Sequence, residues 1–255
     1  MKRMTQLLAC LAAISLLSHT AIAQSADSSK PKNYRNIVRY NLSGPLLFGF
    51  GNVIVVGYER VLKKNQSFSF NFGKAAIPKL IAIVTDSSVN LQRDSKNTGY
   101  NFSFDYRFYL KKENKYDPPH GLYIGPYFSY NHFERENDIS LKHSNGNVDI
   151  VKTNSKFTIM SWGAEMGYQF VLWKRLALDM LLIGPGVGSY DINAKLTGNI
   201  DTKEREKLNG AVQQVLTKRF PGLSTIFEDK QISSDGKLQT WDIGFRYVIH
   251  VGFLF

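Results

Sequence analysis

Trp241-Asp242-Ile243-Gly244-Phe245-Arg246-Tyr247-Val248-Ile249-His250-Val251-Gly252-Phe253-Leu254-Phe255 carries a large apolar side chain at every odd position. The even positions hold Asp242, Gly244, Arg246, Val248, His250, Gly252 and Leu254, mostly small or charged. A period of two sends each set to its own face of a β-strand. One face is bulky and aromatic, the other narrow and polar. A strand that turns its aromatic face to lipid and its polar face to a bore is the building unit of a transmembrane β-barrel.

The same alternation recurs upstream. Residues 100–110 set Tyr100, Phe102, Phe104, Tyr106, Phe108 and Leu110 against Asn101, Ser103, Asp105, Arg107 and Tyr109. Residues 67–73 set Phe68, Phe70 and Phe72 against Ser67, Ser69, Asn71 and Gly73. Residues 157–172 oppose Met160, Trp162, Met166, Tyr168 and Phe170 to Ser161, Gly163, Glu165, Gly167 and Gln169. Weaker alternation marks 35–43, 52–62, 122–134 and 176–190, so the chain reads as eight strands. Pro126 and Pro185 interrupt two of them and predict bulges or bends.

The links alternate in length. Those after the second, fourth and sixth strands are short: 63–66, 111–121 and Trp173-Lys174-Arg175. Those after the third, fifth and seventh are long: 74–99, 135–156 and 191–238; only the first outer link, 44–51, is short. Short turns at one end and long loops at the other are the habit of outer-membrane barrels, whose termini lie with the short turns. The expected fold is therefore all-β, an eight-stranded antiparallel up-and-down transmembrane barrel over 35–255. A soluble eight-stranded barrel is the rival, but its polar face would be a solvated surface rich in long charged side chains. Here that face is Gly, Ser, Asn and a few charges, which suits a packed interior.

The N-terminus supplies a matching address. Lys2 and Arg3 precede an apolar run over 7–17, and Ala21-Ile22-Ala23 is a small-x-small site, so 1–23 reads as a signal peptide cleaved between Ala23 and Gln24. Residues 24–34 then form a short periplasmic tail. Leu7-Leu8-Ala9-Cys10 resembles a lipoprotein box, but the apolar run continues past it. Cys10 is the only cysteine, which leaves no disulfide framework. The most apolar internal stretch, 75–85, is too short for a membrane helix. The net charge of +11 falls to +9 without Lys2 and Arg3. An exported chain with no recognition motif is not expected to bind nucleic acid.

These features resemble the OmpA-like and OmpX-like eight-stranded outer-membrane barrels of Gram-negative bacteria. The resemblance rests on the strand pattern, on Val56-Gly57-Tyr58-Glu59-Arg60, and on the aromatic end Val251-Gly252-Phe253-Leu254-Phe255. It implies that Val251, Phe253 and Phe255 form the signal read by the barrel-assembly machinery. It covers the barrel alone, without a peptidoglycan-binding domain, so it implies no anchoring role.

The inward charges form the candidate site: Arg39, Glu59, Asp105, Arg107, Glu165, Asp179, Asp242 and Arg246, with His250 beside them. Counted from the short-turn end, most share one layer in the lower half of the bore. Arg39 and Glu59 are at similar height on neighbouring strands, and Arg246 could reach carboxylates across the lumen. The layer is either a charged gate or a salt-bridged plug. Eight strands leave room for little more than side chains, and buried charges must be paired, which favours the plug.

Enzymatic readings are weaker. His132, Glu134, His143 and Ser144 lie where a lipid-modifying hydrolase would keep its residues, but no spacing enforces a nucleophile–base–acid set. The histidines lack metal-ligand spacing, and Gly184-Pro185-Gly186-Val187-Gly188 lacks the Lys-Ser/Thr of a phosphate loop. No catalytic residue, metal or cofactor is expected. The last loop, running from Asp191 to Leu238, holds one helix over 202–220 that begins at Asp201 and ends at Pro221-Gly222. Its apolar stripe, Leu208, Ala211, Val212, Val215, Leu216 and Phe220, either covers the mouth or docks an external partner. Charge over Asp191 to Lys237 is balanced, eight basic against seven acidic. The short turns instead carry Lys63, Lys64, Lys111, Lys112, Lys115, Lys174 and Arg175 against Glu113 and Asp117, a surplus suited to phosphate headgroups. The expected partners are outer-membrane lipids and lipopolysaccharide. The leading expectation is a structural or surface-interaction role, followed by a narrow gated pore and then a lipid-modifying enzyme.

Overall fold

Alternating side chains make eight strands here, and each pairs with the next in sequence. The computed structural model describes residues 34–76, 89–142, 148–198, part of 201–233, and 236–255. The strands are β1 (Asn36–Asn41), β2 (Val53–Lys63), β3 (Gln66–Ala75), β4 (Val89–Tyr109), β5 (Gly121–Lys142), β6 (Val148–Leu172), β7 (Leu176–Thr197) and β8 (Lys237–Leu254). All neighbours are antiparallel, and β8 returns to β1 from Ile37↔Leu254 to Asn41↔His250, closing the barrel. The expected signal peptide, the cleavage site expected between Ala23 and Gln24, and nearly all of the tail expected over 24–34 lie outside the described residues.

The barrel is inverted relative to a soluble one. Ile243, Tyr247 and Phe245 are 65%, 60% and 54% exposed, whereas Glu59, Arg107 and Asp105 are at most 1% exposed. Apolar side chains therefore coat the outer wall, and charges fill the bore. Lumen glycines take tyrosine rings: a Cβ on Gly167 would stand 2.3 Å from the Tyr123 hydroxyl, and one on Gly186 2.5 Å from that of Tyr127.

Four strands run farther than their hydropathy predicts. The links expected over 74–99, 135–156 and 191–238 are shortened because β4 begins at Val89, β5 runs to Lys142, β6 begins at Val148 and β7 runs to Thr197. The upper reach of β7 keeps its period of two, with Tyr190, Ile192, Ala194 and Leu196 buried, but on β4 and β5 the outward face turns polar and the apolar alternation fades. Polar cross-strand pairs hold them instead: Glu134 on β5 bridges Lys96 on β4 at 2.9 Å and Lys156 on β6 at 3.2 Å.

The short outer link 44–51 contains a helix, α1 (Ser43–Phe48). The Gly44 N–H donates to Asn41 Oδ1 at 3.1 Å, and the Ser43 hydroxyl accepts from the Ile249 N–H at 2.7 Å. The helix stops at Gly49, whose φ of 92° favours glycine. One turn and a half is too short to show a helical period. The two prolines differ. Beside Pro185 the β7–β8 register shifts between Leu181 and Gly184, the expected bulge. Pro126 makes no bulge: it is exposed on the outer wall, and pairing with β6 runs through it as Pro126↔Ala164.

Candidate functional site

Period-two alternation aims one face of every strand into the bore, and there the charges meet. Arg39 on β1 donates from Nη1 to Glu59 Oε2 at 3.4 Å and to Asp179 Oδ2 at 3.3 Å. Its Nη2 reaches Asp105 Oδ1 at 3.3 Å and the Ser69 hydroxyl, and its Nε reaches Asn71 Oδ1 at 2.9 Å. Arg107 on β4 mirrors it. It donates to Asp105 Oδ2 at 2.7 Å, Glu59 Oε2 at 3.3 Å, Gln169 Oε1 at 2.9 Å and Asp179 Oδ2 at 2.9 Å. The Arg107 guanidinium also lies 4.2 Å from the centre of the Tyr123 ring. Two arginines thus hold three carboxylates between them.

The remaining carboxylate oxygens are occupied from the wall. Glu59 Oε1 accepts from Ser67 at 2.8 Å and Tyr109 at 3.0 Å, and Asp179 Oδ1 accepts from Tyr123 at 2.8 Å. His250 Nδ1 stands 3.3 Å from Asp179 Oδ2. One tier toward the mouth, Arg246 donates to Glu165 Oε2 at 3.1 Å and to the Ser103 hydroxyl at 3.3 Å, and lies 5.1 Å from the Tyr127 ring centre. Every strand contributes to this network, which ties the barrel wall to itself across its own axis. Charged hydrogen bonds of this kind are the strong ones.

Asp242 stands apart from the other expected members. It shares their inward parity, but it is only half-buried and accepts the backbone N–H of Ile243 at 2.7 Å. It lies four residues above Arg246, about 13 Å along the strand. Parity fixes a face, not a height. The hydroxyls and amides of Ser67, Ser69, Asn71, Tyr109, Tyr123 and Gln169 complete the layer and were not among the expected site residues. Their signal was the same parity as the charges.

Apolar clusters flank the layer at both ends. Toward the short turns, Ile37, Ala177 and Leu254 pack together with Tyr34 and Val171. Toward the long loops, Val53, Val55, Ala75, Phe133, Phe157, Tyr190 and Ile192 pack with Ile232 of the last link, and Phe48 of α1 leans on them. The last link therefore folds onto the mouth through Ile232. In that link Thr202, Lys203, Arg205, Glu206, Asn209, Gly210, Gln213 and Thr217 are helical, and Asn209 is buried. Its expected apolar stripe, Leu208, Ala211, Val212, Val215, Leu216 and Phe220, lies outside the described residues.

On the outer wall His132 Nδ1 is 2.9 Å from Thr158 Oγ1, and its ring packs 5.5 Å from Tyr100. The Glu134 carboxylate is taken by Lys96 and Lys156 rather than by His132. His143 and Ser144 lie outside the described residues. Val251, Phe253 and Phe255 sit on the outward face at the β8 end, with Phe253 and Phe255 each 50% exposed.

This geometry defines a class: a closed eight-stranded antiparallel barrel with an apolar outer wall and a charge-paired bore. No family model matches the chain, and no curated protein does. Among solved structures it is similar to a major outer membrane protein from Thermus thermophilus, covering 87% of this chain and 98% of that one. The identity is 10% and the TM-score 0.36, too slight a likeness to carry an argument.

Proposed function

We propose that the chain is an integral outer-membrane barrel of the OmpA-like and OmpX-like kind, sealed along its bore, with a structural or surface-interaction role exercised through its long-loop end. The observation that carries this reading is the inversion itself. Aromatic and aliphatic side chains ring the outside of a closed sheet, while the inward strand faces bury Arg39 and Arg107 among Glu59, Asp105, Glu165 and Asp179. Water would penalise that outer wall, whereas lipid accepts it. The bore argues against transport, because the charged layer lies between two apolar clusters. The non-enzymatic reading takes Glu134 as a structural group, engaged by Lys96 and Lys156 rather than by His132.

Refolding into lipid vesicles, checked by heat-modified gel mobility, tests the membrane placement. Planar-bilayer recording of the same sample tests the seal. The expected trace is silent for the native chain and for Arg246→Ala, since the mouth cluster remains. Reproducible steps in the native chain that shift on Arg246→Ala would replace this reading with a gated pore.

A further inference from the structure

Among the described residues the short-turn rim is a ring of cations that form no ion pair. Lys63 ends β2 and Lys64 stands in the turn that follows, Lys111, Lys112 and Lys115 occupy the β4–β5 link, and Lys174 and Arg175 the β6–β7 turn, all exposed. Arg35, also exposed, precedes β1 and completes the fourth corner. Among the described residues none of these cations has a carboxylate within ion-pair distance. Among the described side chains there, Glu113 and Asp117 are the acids, and they share one link with three lysines. The opposite end behaves differently, since Lys96 and Lys156 share Glu134.

An apolar collar borders the ring directly. Leu62, Phe108, Phe170, Leu172 and Phe253 are exposed on the wall beneath it, and Trp173 is 75% exposed at the tip of a turn. Arg175 joins the two: its guanidinium lies 4.9 Å from the Tyr34 ring centre and 5.6 Å from that of Phe253, and it donates to the Tyr34 hydroxyl at 2.8 Å. A peptide or polymer would call for a continuous patch on one side. Cations at all four corners, level with an aromatic collar, match a planar sheet of phosphates surrounding the barrel.

We infer that this rim binds the headgroups of anionic phospholipids in the leaflet that borders the short turns, and selects them over zwitterionic lipids. The inference rests on the membrane placement proposed above. Its test uses Trp173 as reporter, in the Trp162→Phe/Trp241→Phe variant refolded into phosphatidylcholine vesicles containing brominated phosphatidylglycerol or brominated phosphatidylcholine. Quenching should show a preference for phosphatidylglycerol on the order of threefold to tenfold. That preference should vanish in Lys63→Gln/Lys64→Gln/Lys111→Gln/Lys112→Gln/Lys174→Gln and persist in Lys96→Gln/Lys156→Gln. Insertion with equal quenching by both lipids would overturn the inference and leave the membrane placement standing. So would retention on isolated peptidoglycan sacculi without any lipid preference. Failure to insert into either vesicle would overturn both.

Discussion

Arg107 illustrates what one buried cation does in this bore. It touches Asp105, Glu59 and Asp179 with three separate nitrogens, and it is 1% exposed. Arg107→Ala leaves carboxylates buried without their main counter-charge, a change that costs about 3–5 kcal/mol. Arg246→Ala removes a cation that serves Glu165 and is itself 13% exposed, so water can reach the gap. Urea unfolding from vesicles should rank Arg107→Ala well below Arg246→Ala, and equal losses would show that the two tiers are not distinct. Lys174 poses a different constraint at the same scale. It sits at φ 66°, after Trp173 at φ 47°, in a region that penalises branched side chains. Lys174→Val should lower the unfolding free energy by about 1–2 kcal/mol, whereas Lys174→Gly should be neutral or slightly stabilising. A neutral valine variant would remove the turn as a constraint.

At the level of the strand, the β4–β5–β6 seam above the apolar belt is held by polar pairs, so it should respond to pH. The hydrogen bond from Lys96, aided by Lys156, keeps the Glu134 carboxyl below its ordinary value of 4.5. A carboxyl depressed on folding stabilises the fold above its unfolded range, and that stabilisation is lost as pH falls through the folded value. Amide exchange at the upper ends of β4, β5 and β6 should therefore rise below about pH 4.5, and Glu134→Gln should abolish that pH dependence. Unchanged exchange in the native chain would mean that the seam does not rest on this triad. The same strands show what the sequence reveals and what it hides. Tyr100 to Leu110 and Trp241 to Phe255 announce themselves because large apolar residues alternate with small or charged ones. From Glu134 to Asp138 both faces are polar, so Arg135 and Asn137, 1% and 3% exposed, look like loop. Their burial comes from what covers them, which no local period encodes. The charged layer was legible as a face, and its membership up to Arg246 followed from parity. Asp242 did not, because height in a barrel depends on register with the neighbouring strands.

The barrel taken as a whole has a tall side and a low side. β4 to β7 are 21 to 25 residues long, while β1 has only 6. The low side also holds the closure, where β1 meets β8 over Ile37 to Asn41 and then leaves for α1. Arg39 is the one charged residue in β1, and through it this short strand reaches Glu59, Asp105 and Asp179. The wall is thus mechanically uneven, like a hoop with one thin rivet. Under load it should part at β1 first, with the tall side surviving as a curved sheet. A disulfide between Tyr40→Cys and Val251→Cys, opposite each other across that joint, should raise the first rupture force in single-molecule pulling. If the force stays unchanged, the hoop yields elsewhere.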